Sequence, residues 1–199
     1  MSAFNKVSSE VFDNLQLEAG MILSTFNPDS PVAPTDAQII CATTGGVNPT
    51  CVPTTVDYGE DIDNVPNNTK ELLQITAWEC KLAFTALDMT ADTIKLALGA
   101  ADKTVETGKA TKITPRMKVE SGDFQSIWWV GEIAGGNLAA IKLVDAFSTG
   151  GFSLQTGKAS KGQLSVELTG YVSIDDVDTV PMEFYIGNGV TEETGETGA

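Results

Sequence analysis

The chain has 199 residues, with 27 acidic against 12 basic side chains, a net charge of −15 and no histidine. The length suits one compact domain burying roughly 70% of its unfolded surface, and the missing histidine removes Ser-His-Asp and Cys-His nucleophiles, His-bearing zinc sites and any histidine general base. Binding a polyphosphate depends on Lys and Arg displacing counterions, so a chain this acidic is not expected to grip nucleic acid, and no stretch approaches the roughly 18 apolar residues of a membrane span.

The first strand candidates are 15–26 and 37–42. Residues 43–72, "TTGGVNPTCVPTTVDYGEDIDNVPNNTKEL", are rich in Gly, Pro, Asn and Asp and read as a long irregular loop, with a strand candidate at 52–58 inside it. Loops beyond roughly 12–15 residues are uncommon in compact domains and are usually functional or disordered. Its acidic run holds Asp57, Glu60, Asp61 and Asp63. An EF-hand counted from Asp61 puts Val65 and Pro66 where a ligand and a glycine belong, so turn chemistry is the better reading. Residues 7–69 carry nine acids and no base.

"AWECKLAFTAL" (77–87) alternates, with Trp78, Cys80, Leu82, Phe84 and Ala86 inward, which predicts a strand. "MTADTIKLALGAAD" has helical spacing instead. Thr90 sits at the N-cap, Asp92 lies in the first turn, and Ile94, Ala97, Leu98 and Ala101 form a stripe. Strands are expected over 124–133 and 138–147, the latter bounded by the turn doublets "AGGN" and "TGGF". Trp128 and Trp129 are strand neighbours and must point to opposite faces. The core takes one, and the other belongs under the helix or against a partner subunit.

"STGGFSLQTGKASKG" (148–162) imitates a phosphate-binding loop and fails twice. Phe152 stands where the first glycine belongs and Ala159 where the hydroxyl belongs, leaving a hairpin turn as the reading. "QLSVELTGYVSI" (163–174) carries the strongest alternation, with Leu164, Val166, Leu168, Val172 and Ile174 on one face. "DDVD" (175–178) fails the calcium spacing as well and reads as a turn. "PMEFYI" (181–186) is a last strand with Met182, Phe184 and Ile186 on one face, and the acidic end 187–199 is expected to be flexible. The three cysteines, Cys41, Cys51 and Cys80, are odd in number, lack CxxC spacing and read as reduced and structural. About eight strands and one short helix predict a mainly β fold, a sandwich or barrel with a flanking helix.

In order, "ATTGGVNPT", "DYGEDIDNVPNNTKEL", "AWECKL", "TADTIKLALGAAD", "ITPR", "DFQSIWWVGE" and "STGGFSLQTGKASKGQLSVELTGYVSIDDVDTVPMEFYI" resemble the major tail tube protein of long non-contractile-tailed bacteriophages. They cover about residues 42–186, and the specificity lies in their combined order. The resemblance implies a single tail tube domain over 1–186, a tail-tube-type β-sandwich or barrel whose long loop, 43–72, stacks one ring on the next. Six copies would close a ring, and rings would stack around a tape-measure protein. DNA would later pass through the lumen without specific binding. The inter-ring contacts would fall to Gly45, Gly46, Asp57, Gly59, Glu60, Asp61 and Asp63, with Trp128, Trp129, Tyr171 and Tyr185 as subunit-interface candidates. It implies a structural protein of the virion tail, assembled in the host cytoplasm, with no catalytic residues, cofactor, metal or membrane partner. Two other readings are a related tail or injection-machine component and a β-sandwich module binding carbohydrate or a cell surface. Such a module would need an exposed aromatic cluster.

Overall fold

A computed structural model describes residues 7–8 and 10–188. The predicted acidic tail lies outside them from residue 189 onward. Among the described residues the chain is mainly β, and every strand pairing is antiparallel. Nine strands form one sheet: β1 (Met21–Leu23), β2 (Ile39–Cys41), β3 (Thr43–Asp57), β4 (Leu73–Ala86), β7 (Gln125–Glu132), β8 (Asn137–Ser148), β9 (Ser153–Gln155), β10 (Gln163–Gly170) and β11 (Met182–Asn188). Two short strands, β5 (Ala101–Thr104) and β6 (Lys112–Pro115), make a separate ribbon. The helices are α1 (Glu10–Asp13) and α2 (Ala91–Leu98). The sequence pattern did not announce α1.

The main path runs β2-β1-β7-β8-β10-β4-β3. Its two ends, β2 and β3, are consecutive in the chain and joined through Ala42, whose N–H donates to the Asp88 carboxylate at 2.8 Å. The sheet therefore curls, and Ile22, Ile127, Trp129 and Leu143 of one half meet Cys80, Leu82, Phe84, Val166 and Leu168 of the other in one core. The alternation read from 164 to 168 and from 80 to 86 is the cause, since each second side chain is buried.

Helix α2 closes one side of this core. Thr90 caps it by accepting from the Thr93 N–H, as the sequence predicts. The buried stripe is shifted by one position from the predicted one. Thr93, Leu96, Ala97 and Ala100 are buried, while Ile94 and Leu98 are half-buried. Ser148 ties the helix to β8 by donating to the Ala97 carbonyl at 2.6 Å. Beside it, Arg116 pairs with Asp102 at 2.7 Å and Asp123 at 2.6 Å, pinning the β5–β6 ribbon to the chain that leads into β7.

Three boundaries that differ from the sequence reading have a physical cause or consequence. The 15–26 candidate shrinks to β1, because Gly20 has φ +72° and the chain folds there over Trp129, whose Nε1 donates to the Ala19 carbonyl at 2.8 Å. The 163–174 strand stops at Gly170, where a Cβ would meet Leu143 and the Pro181 carbonyl. There β11 takes over the edge of β8, beginning with the Val144 N–H bonded to that carbonyl at 2.9 Å. Val172 and Ile174, read as buried, are exposed in the intervening loop. Finally, β11 runs two residues past the expected domain end at 186.

Candidate functional site

Half of the predicted long loop is strand. Residues 43–57 form β3, which pairs along its whole length with β4. Residues 58–72 alone are the irregular tip. Pro49 and Pro53 are tolerated in β3 because, among the described residues, it pairs with β4 alone and is an edge strand. Gly45 and Gly46, placed by the resemblance in an inter-ring loop, form a bulge opposite Phe84 and Thr85 on the body of the domain, with φ of +76° and +84°.

Beyond Lys81, β4 loses β10 as a neighbour, and the outer halves of β3 and β4 continue as a two-stranded arm. At about 3.3 Å per residue, Cys51 to Asp57 reach roughly 20 Å. Directly opposed residues share a face, so Trp78 stands with Pro53 on the core face of Cys80 and Leu82. A bulge at Thr76 then slips the register by one. Its consequence is that Ile75, opposite Thr55, and Leu73, opposite Asp57, return to that same face. The core-side row Leu82, Cys80, Trp78, Ile75, Leu73 thus runs out of the core and loses its cover. Leu82 and Cys80 are 0% exposed, whereas Trp78, Ile75 and Leu73 are 38%, 49% and 53% exposed. Simple alternation missed the last two, since only the bulge puts them in line with Trp78.

The tip has its own order. Asp57 accepts from the Gly59 N–H at 2.8 Å and the Asn68 N–H at 2.9 Å, binding the two ends of the turn together. Gly59 is buried against Leu72 and Val65. Asn64 and Asn68 supply positive φ, a conformation asparagine tolerates. Glu60, Asp61 and Asp63 are exposed on this turn. Among the described residues, no group of three or more acidic or cysteine side chains is placed to hold a metal ion.

The second open surface is β11. It pairs with β8 and, among the described residues, with nothing else. Opposed residues put Met182 with Leu143, Phe184 with Ile141 and Ile186 with Ala139 on the inner face. Met182 is buried in the core, but Phe184 and Ile186 are 61% and 74% exposed. The sequence reading found their shared face, and among the described residues only Met182 of the three is buried.

The tryptophans correct a further expectation. Trp129 enters the main core, as one of the pair had to. Trp128, expected under the helix or at a partner, is covered within the chain by Phe26, Tyr185 and the Lys142 ammonium, with ring-centroid distances of 5.7 Å and 5.5 Å to the two aromatics. Both are buried in the lone subunit, so neither offers a surface to a neighbour. Tyr185 is half-buried and donates to Glu183, which raises its pKa from the usual phenol range. Tyr171 is exposed at its rim and packs on Phe124 and Phe147.

The turn that imitates a phosphate loop is a connection between β9 and β10, with Ala159 at φ +58°. No protein-family model matches this chain, and no curated protein does.

Proposed function

We propose that this chain is the structural subunit of a phage-type tail tube. Copies close a six-membered ring through their sheet margins, and rings stack through the β3–β4 arm around a tape-measure protein. The hollow product conducts DNA, and the subunit belongs to the virion tail, built in the host cytoplasm. The resemblance of residues 42–186 supplies the identity of the assembly, and one observation carries the assembly reading: an apolar row leaves the core along the arm and ends about half exposed at Trp78, Ile75 and Leu73. A two-stranded hairpin is marginal in water by itself, and burying each apolar side chain of that row is worth about 1.5–3 kcal/mol. The free edge and exposed apolar face of β11 add a second incomplete surface, and long unpaired edges are a liability that a monomer would blunt. The acidic surplus keeps a passing duplex, itself a dense line of negative charge, from adhering.

Electron microscopy and sedimentation across protein and salt concentration test this. Rings or tubes at high concentration are expected, and a persistent monomer under all conditions overturns the proposal. Removal of residues 45–68, natural if 43–72 were a free loop, would take out β3 itself, where Val47 and Cys51 pack on the core. The informative variant replaces 55–76 by Asn-Gly, a two-residue turn joining the opposed pair Thr54 and Ala77. This variant is expected to fold and to lose tubes. Tubes of normal length would take the arm out of the joint.

A further inference from the structure

The arm leaves the body at a pair of cysteines. Cys51 and Cys80 are directly opposed on β3 and β4, both are free thiols, and their sulfurs are 3.1 Å apart. The neighbouring prolines define the kind of pair they make. Opposed residues in an antiparallel ladder alternate between pairs that exchange two backbone hydrogen bonds and pairs that exchange none. Pro49 and Pro53 have no N–H to give, so their pairs with Leu82 and Trp78 are of the second kind. The register is unbroken from Val47 to Thr54, so Cys51 and Cys80, midway between, form a pair of the second kind too. Such pairs bring Cα atoms to about 4.5 Å and side chains closest together, inside the roughly 4.4–6.8 Å range that a disulfide spans. Bond formation therefore requires the sulfurs to close on one another without moving the strands.

We infer that Cys51 and Cys80 are a redox pair, closing to an intrachain disulfide when the protein meets an oxidant of the glutathione-disulfide class. Cys51 is half-buried and Cys80 is 0% exposed, so the oxidant reaches Cys51 first. The Cys51 thiolate attacks one sulfur of the small disulfide, breaking its S–S bond. One small thiolate leaves and takes up a proton. Cys80 then gives up its proton, and its sulfur attacks the Cys51 sulfur of the mixed disulfide, expelling the second small thiol. Two protein thiols are oxidised and one small disulfide is reduced to two thiols. In the reduced pair, burial and then the contact to Cys51 push the Cys80 thiol up to about 12, which leaves the more accessible Cys51 as the first nucleophile. Cys41 is buried and sits opposite Ile22 rather than another cysteine, so it stays free.

The bond would close a covalent loop from Val52 to Glu79, sealing the root of the arm against fraying whether or not the protein assembles. A reducing compartment leaves the root open, and an oxidising one closes it.

The test uses the full-length chain, fully reduced and then held in mildly alkaline buffer with oxidised glutathione. Free thiols are counted after denaturation, and the intact mass and cross-linked peptides are measured. Three thiols are expected before and one after, with the mass lower by two hydrogens and one peptide joining Cys51 to Cys80. Cys41→Ala should go from two thiols to none. Cys51→Ser should block the intrachain bond while circular dichroism confirms the fold. The oxidised chain should melt at a higher temperature than the reduced one. A glutathione adduct that persists on Cys51, a bond to Cys41, an interchain dimer, or a melting temperature that fails to rise would each overturn the inference.

Discussion

Two margins of the sheet that are free among the described residues, β3 and β11, are chemically opposed. The outward backbone positions of β3 include Pro49 and Pro53, which remove two donors and leave few groups for a visiting strand to pair with. Along β11 there is no proline, and Phe184 and Ile186 stand exposed beside a free row of donors and acceptors. One margin refuses strand addition and offers only its apolar face. The other permits strand addition and offers an apolar face as well. For a subunit of an ordered assembly this division has a physical use. Guarding one edge with proline lowers the number of margins at which copies could add strand to strand into unspecified sheets.

Four measurements would break or sharpen that contrast. The largest effect is expected from Trp128→Ala, since Trp128 is buried against Phe26 and backs β11 through Tyr185. The subunit should lose about 3–5 kcal/mol in denaturant unfolding, and a loss below about 1 kcal/mol would mean that β11 is not held from behind. Next is the double change Phe184→Glu and Ile186→Lys on exposed positions. Assembly monitored by sedimentation should weaken by the equivalent of about 1.5–3 kcal/mol, while unfolding of the monomer shifts within about 0.5 kcal/mol. Unchanged assembly would move the joint elsewhere.

A smaller, slower effect should follow Pro49→Thr with Pro53→Thr. Restoring two donors on the β3 edge should cause time-dependent aggregation visible by light scattering, and a clear solution would deny the prolines their guarding role. The least effect under ordinary conditions is a pH dependence from two buried thiols, Cys80 at the root of the arm and Cys41 on β2. Burial holds the Cys41 and Cys80 thiols up to about 12 from an ordinary value of 9.0. Between those values the unfolded chain has released protons that the folded chain retains, so stability should fall as pH rises from about 9 towards 12. Below that window these thiols contribute no slope. A reduced protein whose melting temperature is flat across the window would contradict the assignment.

Much of the body was legible in order alone. β4 and β10 show through their alternation because every second side chain enters the core, and Thr90 announces α2 because a helix start needs a side-chain acceptor. The arm was legible only as an anomaly. Gly, Pro, Asn and Asp in residues 43–57 weaken every local strand signal, and an edge strand tolerates them because half of its hydrogen bonds are not required.

Period and composition determined by themselves that this protein is β-rich, acidic, without histidine chemistry, and equipped with one capped helix. Tertiary structure alone decided where the alternation leads. It buried Trp128 under Phe26, left Phe184 and Ile186 bare, and used the Thr76 bulge to bring Ile75 and Leu73 into line with Trp78. It also set Cys51 beside Cys80 across 29 positions of sequence. Local periodicity records which face a side chain takes, but register and the curl of the sheet decide what, if anything, covers that face.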